Sequence, residues 1–205
     1  MTHPFDRTVP LITRQLGAHC GITLMGRPTG GSDASAAKLE NWQFVLGEGP
    51  AVACCDAGRS VQYPDLDCVY EWFPLFAAAL HDAGINSVAA VPINTKGTCL
   101  GALTVYSVSQ PLKPKQLRRA EQWAQQVALF VAADPESWAD QRQEVAAQFD
   151  TAIGCLMFTL RVDAPTASAF MRAHAFAESI PLPALCDKIV HDNFRLDLEP
   201  QWRSG

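Results

Sequence analysis

The sequence changes character at Asp134-Pro135-Glu136, and this change constrains the fold more than any other feature. Before it, short apolar runs alternate with breaks rich in Gly and Pro, which is typical of a domain that mixes strands and helices. After it, a helical pattern continues for about 70 residues. A carboxylate followed by Pro and Glu is also a strong helix start. The sequence therefore predicts two domains, at 8–133 and 134–200.

The first domain is predicted to be α+β, with one antiparallel sheet flanked by helices. Helices are expected near the N-terminus and at 51–58, 71–84 and 111–134. Strands are expected in the sequences HCGITLMGR, LENWQFVL, SVQYPDL, NSVAAVPI and CLGALTVYSV, the last two forming a hairpin around NTKGT. PTGGSDASA, between the first two strands, is predicted to be a loop because of its Gly, Pro and Ser content.

The second domain is predicted to be an all-α bundle of three helices, at 135–161, 164–179 and 182–195. Its first helix carries an apolar stripe that can pack on the two following helices or on a second copy of itself, and both options remain open. A bundle of about 60 residues has little core, so a homodimer is expected. The residues of the stripe are Trp138, Val145, Phe149, Ala152, Ile153, Leu156, Met157 and Leu160.

Composition limits the class of protein. Hydrophobic residues make up 48% of the chain and charged residues 18%, which is typical of a folded protein. The charge-free run between Asp150 and Arg161 is far shorter than the roughly 20 residues that a bilayer crossing needs. The N-terminus has no basic segment followed by an apolar block and a cleavage site. We therefore expect a cytoplasmic protein with no membrane segment.

The seven cysteines show no CxxC spacing and no paired His–Cys spacing, and the five histidines are scattered. The sequence therefore predicts no metal site and no cofactor. The cysteines are expected to be buried, reduced thiols. LGEGP contains a GxG, but without a P-loop lysine it indicates a turn rather than a phosphate site.

Two stretches together carry a family resemblance. QFVLGEGPAVACCDAGRSVQYPDL, followed by WFPLFAAALHDAGINSVAAVPINTKGTCLGALTVYS, resembles a GAF domain of the kind found in actinobacterial regulators. The resemblance implies a domain that senses a small molecule or a partner. Aromatic residues could line its ligand pocket, although such residues are more often core. The candidates are Trp42, Phe44, Tyr63, Trp72 and Phe73.

The segment TAIGCLMFTLRVDAPTASAFMRAHAFAESIPLPALCDKIV resembles an ANTAR domain, the RNA-binding output module of transcription antiterminators. The resemblance implies that paired bundles bind a stem-loop in nascent mRNA, and that the protein is not an enzyme and has no catalytic residues. The matching positions are Ala152, Gly154, Leu156, Met157, Ala167, Arg172, Ala175, Leu182, Leu185 and Ile189.

Binding to RNA needs basic side chains, and the candidate phosphate contacts are Arg161, Arg172, Lys188 and Arg195. From Asp134 onward, however, six basic residues stand against eleven acidic ones. A module that only dimerises or binds protein is therefore the alternative. Gly154 costs the helix interior about 1 kcal/mol relative to Ala, which predicts close approach by another helix backbone. Thiol-based sulfoxide reduction through Cys54 and Cys55 is the third hypothesis.

Overall fold

The computed structural model of the chain describes residues 5, 8–95, 97–178 and 180–191. The chain divides into two compact units, which we call unit 1 (Met1–Arg142) and unit 2 (Gln143–Gly205). The elements are α1 (Thr8–Leu16), β1 (His19–Leu24), β2 (Arg27–Gly31), α2 (Ala34–Leu46), α3 (Pro50–Ala57), β3 (Val61–Tyr63), α4 (Leu66–Trp72), α5 (Pro74–Asp82), β4 (Ser87–Thr95), β5 (Thr98–Ser107), α6 (Pro114–Ala133), α7 (Pro135–Leu160), α8 (Ala164–Ala177) and α9 (Leu182–His191).

The sheet of unit 1 has five strands in the order β2-β1-β5-β4-β3, and every neighbouring pair is antiparallel. The predicted α+β domain with one antiparallel sheet is therefore confirmed. The hairpin of β4 and β5 and the helices α3 and α6 also form where the sequence predicts them. These segments carry a long apolar pattern or clear Gly and Pro boundaries, so that local signals suffice to place them.

One face of the sheet, which we call the apolar face, packs on α1 and α6. The side chains between the sheet and these helices are aliphatic apart from Cys20, and they include Ile12, Ile22, Leu103 and Val127. Phe5 and Trp138 extend this core, with their ring centroids 6.0 Å apart. Trp138 therefore belongs to the core of unit 1. For Trp138, the expectation that the stripe packs on the two following helices is wrong.

Residues 34–46 form α2, so the strand predicted at LENWQFVL is wrong. The side chain of Asp33 caps the helix by accepting a hydrogen bond from the Ala36 N–H at 2.9 Å, and Gly47 ends it with a φ of 67°. Buried side chains recur every three or four residues along it, as a helix requires. The apparent alternation at Trp42, Phe44 and Leu46 misleads because only the first of them is buried.

One further expectation for unit 1 is wrong. The segment predicted to be a loop contains β2, which pairs with β1 and is held by a hydrogen bond from Thr29 Oγ1 to the Ile22 carbonyl oxygen at 3.0 Å. The helix predicted at 71–84 is confirmed by α5, and the preceding helix α4, which ends at Trp72, is an element that the sequence did not predict. Asp65 caps α4, and Pro74 occupies the first turn of α5, where a helix tolerates proline.

The predicted helical character of the C-terminal region is confirmed by α7, α8 and α9. α7 begins in unit 1 and ends in unit 2. Asp163 caps α8 by accepting a hydrogen bond from the Thr166 N–H at 3.0 Å. The sulfur atoms of Met171 on α8 and Cys186 on α9 lie 3.8 Å apart. Among the described helices, none combines the length and the apolar composition that a membrane crossing requires.

Candidate functional site

The second face of the sheet differs from the apolar face in composition, and we call it the polar face. Because side chains alternate along a strand, the residues between those of the apolar face point to the opposite side. On β1 and β5 these residues are small or polar rather than aliphatic, and α2 and α3 cover them. They are Gly21, Thr23, Ala102, Thr104 and Tyr106. A covered sheet face that carries polar groups in place of aliphatic side chains is a candidate functional site.

Glu40 lies at the centre of this face, on α2, with none of its surface exposed. Its carboxyl group accepts hydrogen bonds from Tyr106 Oη at 2.6 Å and from Thr23 Oγ1 at 2.5 Å. Gln43 Nε2 donates to Tyr106 Oη at 3.0 Å. We call Thr23, Glu40, Gln43 and Tyr106 the Glu40 cluster. It joins β1, α2 and β5 around one ionisable group.

The cluster reaches a fourth element through Gln43. The amide oxygen of Gln43 accepts a hydrogen bond from the Ala51 N–H at 2.7 Å, in the first turn of α3. The first N–H groups of a helix have no partner within it, so Gln43 supplies one from another element. Gln43 therefore links α2 and Tyr106 to the first turn of α3.

Two glycines make room for the cluster. A Cβ atom added at Gly21 would lie 2.3 Å from Glu40 Cγ, and one at Gly49 would lie 2.7 Å from Gln43 Oε1. Neither distance is compatible with van der Waals contact, so larger residues at these positions would displace Glu40 or Gln43. Glycine at these two positions thus leaves the space that the side chains of Glu40 and Gln43 occupy.

Burial raises the pKa of Glu40, and the hydrogen bonds from Thr23 and Tyr106 offset only part of this effect. Burial, followed by the nearby Glu40 carboxyl group, also raises the pKa of Tyr106 well above its ordinary value. The fold therefore disfavours the charged forms of Glu40 and Tyr106. A charged Glu40 would lie buried beside Thr23 and Tyr106, which makes the cluster sensitive to any event that changes the ionisation of this carboxyl group.

The cysteines beside the polar face depart from the expectation of seven reduced thiols. Cys55 on α3 and Cys99 on β5 form a disulfide, with their Cα atoms 5.5 Å apart. The expectation is wrong for this pair because the fold brings together two residues that are 44 positions apart in sequence. The other five cysteines are free. Burial raises the pKa of Cys20 and of Cys54 to about 12, so these two are unreactive as thiolates at neutral pH.

The five aromatic residues that the sequence analysis proposes as lining a ligand pocket lie in different environments. Tyr63 and Phe73 pack edge to face, with ring centroids 5.4 Å apart. Trp42 is buried, Phe44 is half-buried and Trp72 is 66% exposed. A groove of about 440 Å³ lies elsewhere in unit 1, along α6, and none of the five lines it. Its lining residues are Phe5, Thr8, Trp123, Gln126, Val127, Leu129 and Phe130.

The four basic residues proposed to bind RNA lie in different environments. Arg161 and Lys188 are exposed. Arg172 is half-buried, with its guanidinium carbon 5.3 Å from the centroid of the Phe149 ring, and burial lowers its pKa. The expectation that Arg172 is a phosphate contact therefore omits its packing role. Arg195 lies outside the described residues.

The remaining motif residues of unit 2 divide into buried and exposed positions. Ala152, Leu156, Ala167 and Ala175 are buried. Met157 is 36% exposed, so the expectation that it packs in the core is wrong. Gly154 is also exposed, and a Cβ atom added there would meet no described atom within 4 Å. The predicted close approach of another helix to Gly154 is therefore wrong for the contacts within this chain.

The sequence analysis did not identify Glu40 and Gln43 as candidate functional residues. The segment was predicted to be a strand, and that prediction gave neither side chain a hydrogen-bond partner. The only local signal is the i, i+3 spacing of Glu40 and Gln43 on a capped helix. Within the described part of the chain, no group of three or more His, Cys, Asp and Glu side chains is arranged to hold a metal ion.

Comparison with known proteins supports the fold of unit 1. A domain of a two-component sensor histidine kinase protein from Sinorhizobium meliloti 1021 superposes with a TM-score of 0.53 at 16% identity, over 67% of this chain and 94% of that one. The GAF domain region of a membrane protein from Geobacter sulfurreducens PCA superposes with a TM-score of 0.51 at 22% identity, over 63% and 91%. A search of curated protein sequences finds no significant match. Residues 3–133 match the family model described as GAF domain, and because this match spans more than half of the chain, the chain belongs to the GAF domain family.

Proposed function

We propose that this protein is a signal-responsive regulator and not an enzyme. In this proposal the GAF domain senses a small molecule or a partner, and the ANTAR-like helical region binds hairpins of nascent mRNA as a homodimer. Binding favours an antiterminator hairpin over a terminator, in the cytoplasm, where transcripts are made. The Glu40 cluster is the observation that carries the sensing half.

The Glu40 cluster suits a sensor because hydrogen bonds join four elements around one buried carboxyl group. A buried polar network is stable only while each member keeps its partners. A ligand that contacts α2, α3 or β5 would change a partner, and the other elements would have to respond. GAF domains sense small molecules or other signals, and this arrangement gives such a signal a route from α2 to α3 and β5.

The output half of the proposal is supported by the burial pattern of unit 2. Positions that the ANTAR resemblance assigns to packing are buried on all three helices, including Ala152, Ala167 and Leu185. Arg161, Lys188 and His191 remain exposed, as phosphate contacts must be. Because the region from Asp134 onward carries eleven acidic residues and six basic ones, RNA binding would have to rest on a local basic patch.

The test uses the full chain and a two-hairpin RNA in a mobility-shift titration at several salt concentrations. Arg161→Glu/Lys188→Glu is expected to weaken binding at least about tenfold and to reduce the salt dependence by about two phosphate contacts. Lys38→Glu/Arg59→Glu makes the same change of charge at exposed positions of unit 1 and is the matched control. If the wild-type chain gives no shift even at low salt, the RNA proposal fails.

The alternative is a regulator whose helical region dimerises or binds protein and no longer binds RNA. A specific observation favours it: Phe158 on α7 is 88% exposed, one residue after the partly exposed Met157. Isolated exposed apolar residues are ordinary, but an exposed phenylalanine beside an exposed methionine is typical of an interaction surface. Failure of RNA binding together with a stable homodimer would favour this alternative.

A further inference from the structure

The Cys55–Cys99 disulfide lies beside the Glu40 cluster but takes no part in it. It is one disulfide among seven cysteines, and the other five are free. Two of those five, Cys68 and Cys155, are partly exposed. Domains that depend on disulfides in oxidising compartments usually pair their cysteines, whereas a disulfide in a reducing compartment is usually transient and redox-sensing. One disulfide together with five free thiols is typical of a transient, redox-sensing disulfide.

The helix that carries Cys55 packs on β4 and β5 of the sheet. In this packing Ala51 and Cys54 of α3 form a buried cluster with Ala90 and Ala102. All of these side chains are small, and apolar stabilisation scales with the area buried. The disulfide adds a covalent link to this packing of small side chains.

Besides this packing, one bond holds each end of α3. At its N-terminus the Ala51 N–H donates to Gln43 of the Glu40 cluster, and in its last turn Cys55 is bonded to Cys99 on β5. Breaking the disulfide would leave the hydrogen bond to Gln43 and the packing on the sheet, and would remove the covalent bond to β5. The disulfide therefore adds to how firmly the helix that the Glu40 cluster contacts is held.

The reduced pair has a hydrogen-bond acceptor in place. The sulfur atoms of Cys55 and Cys99 each lie 3.2 Å from the carbonyl oxygen of Gly101. In the disulfide neither sulfur carries a hydrogen, but after reduction each thiol can donate to this oxygen. On reduction the two sulfur atoms move apart to van der Waals distance, and α3 loses its covalent link to β5. The fold thus accommodates both oxidation states.

Neighbouring Cys54 does not compete in this chemistry. Its thiol is buried and donates to the Ala51 carbonyl oxygen at 3.2 Å. Burial raises the pKa of Cys54 to about 12, which keeps it protonated. Cys55 and Cys99 are only half-buried, so small thiols and disulfides in solution can reach them.

We propose that Cys55 and Cys99 form a reversible thiol–disulfide site, through which low-molecular-weight thiols and disulfides set how firmly α3 is held on the sheet. This goes beyond the proposed function, because it is a covalent signal that needs no bound ligand and does not depend on RNA. The oxidant class is a small disulfide such as glutathione disulfide, and the reductant class is a thiol or dithiol.

The reaction is balanced as two thiol–disulfide exchanges. One cysteine thiolate of the pair attacks a sulfur of the small disulfide, forms a mixed disulfide and releases one small thiolate. The second cysteine thiolate attacks the protein sulfur of that mixed disulfide and releases the second small thiolate. The protein loses two electrons and two protons, and the small disulfide becomes two thiols. Reduction by a dithiol runs the same steps in reverse.

The test is hydrogen exchange with peptide-level mass spectrometry on the full chain, in glutathione redox buffers and then with dithiothreitol. On reduction, the amides of α3 are expected to exchange about tenfold faster, whereas those of α6 remain unchanged. Returning the protein to glutathione disulfide should restore slow exchange and the Cys55–Cys99 linkage in a peptide map.

The variants separate a switch from a fixed structural bond. Cys99→Ser is expected to show the fast α3 exchange in every buffer, and Cys68→Ser, which removes a partly exposed thiol outside the pair, should respond like the wild type. The wild-type redox titration does not depend on either variant folding. Equal α3 exchange in both redox states would overturn the proposal, as would a disulfide that dithiothreitol reduces only after the protein has unfolded.

Discussion

A carboxyl group buried in a folded domain makes stability depend on pH, and Glu40 is such a group. Burial raises its folded pKa above the ordinary value, so the folded state binds this proton more tightly than the unfolded state does. The resulting stability is complete below the unfolded pKa and is lost as the pH rises through the folded pKa. Glu40→Gln keeps the shape of the side chain but removes the titratable group. Its free energy of unfolding in urea, measured from pH 5 to pH 8, is expected to vary less with pH than that of the wild type. Each unit of pKa shift corresponds to about 1.4 kcal/mol.

The matched control is Glu71→Gln, which removes an exposed carboxyl group from α4 in the same unit. Its unfolding profile should keep the pH dependence of the wild type. If the wild type and Glu40→Gln lose stability equally over this range, then Glu40 is ionised without penalty and the sensing role of its cluster fails. Circular dichroism at each pH verifies that the compared proteins are folded.

The role of Glu40 could not be predicted from the sequence for a physical reason. Its hydrogen-bond partners Thr23 and Tyr106 lie 17 and 66 positions away, and only the folded sheet brings them together. Taken locally, a glutamate beside Asn41 is an ordinary exposed residue. The alternation at Trp42 and Phe44 also favoured a strand, which would have placed Glu40 and Gln43 on opposite faces.

Helices and strands with strong local signals were predictable, and those without were not. β5 and α6 carry long apolar patterns, and both form where expected. β2 has the sequence RPTGG, whose residues favour turns, and it is a strand because β1 and α2 cover it. Tertiary contacts override local preference in such short segments.

Gly154 gives a direct test of α7. It lies within a helix, and a Cβ atom added there would meet no described atom within 4 Å. Gly154→Ala is therefore expected to stabilise the protein by up to about 1 kcal/mol, because alanine restricts the unfolded chain and favours the helix. Thermal and urea unfolding at low protein concentration measure this effect on the monomer.

Gly58 is the matched comparison, because a Cβ atom added there also meets open space. It differs in backbone conformation, since its φ of 63° ends α3 in the left-handed region. Gly58→Ala is expected to destabilise by about 1 kcal/mol for this reason alone. A loss of stability in Gly154→Ala, similar to that in Gly58→Ala, would mean that α7 is not helical at this position.

At the level of the whole chain, different observations support the function proposed for each of the two units. Unit 1 contains the GAF domain, and hydrogen bonds of the Glu40 cluster link α2 to α3 and β5. Unit 2 contributes the exposed apolar residues Met157 and Phe158 and the exposed cations Arg161 and Lys188, all at or near the ends of helices. We expect a protein partner for the first pair and RNA phosphate for the second.

Phe158 allows the homodimer to be tested separately from RNA. If a second copy covers Phe158, aspartate at this position would place a charge in an apolar interface, and the dimer dissociation constant should rise at least about tenfold. Sedimentation velocity over a range of protein concentrations measures this change. Tyr70→Asp alters an aromatic residue that is 65% exposed on α4 and should leave the association state unchanged. If Phe158→Asp sediments like the wild type, this face of α7 is not the dimer interface, and the exposure of Phe158 must be explained by a different partner.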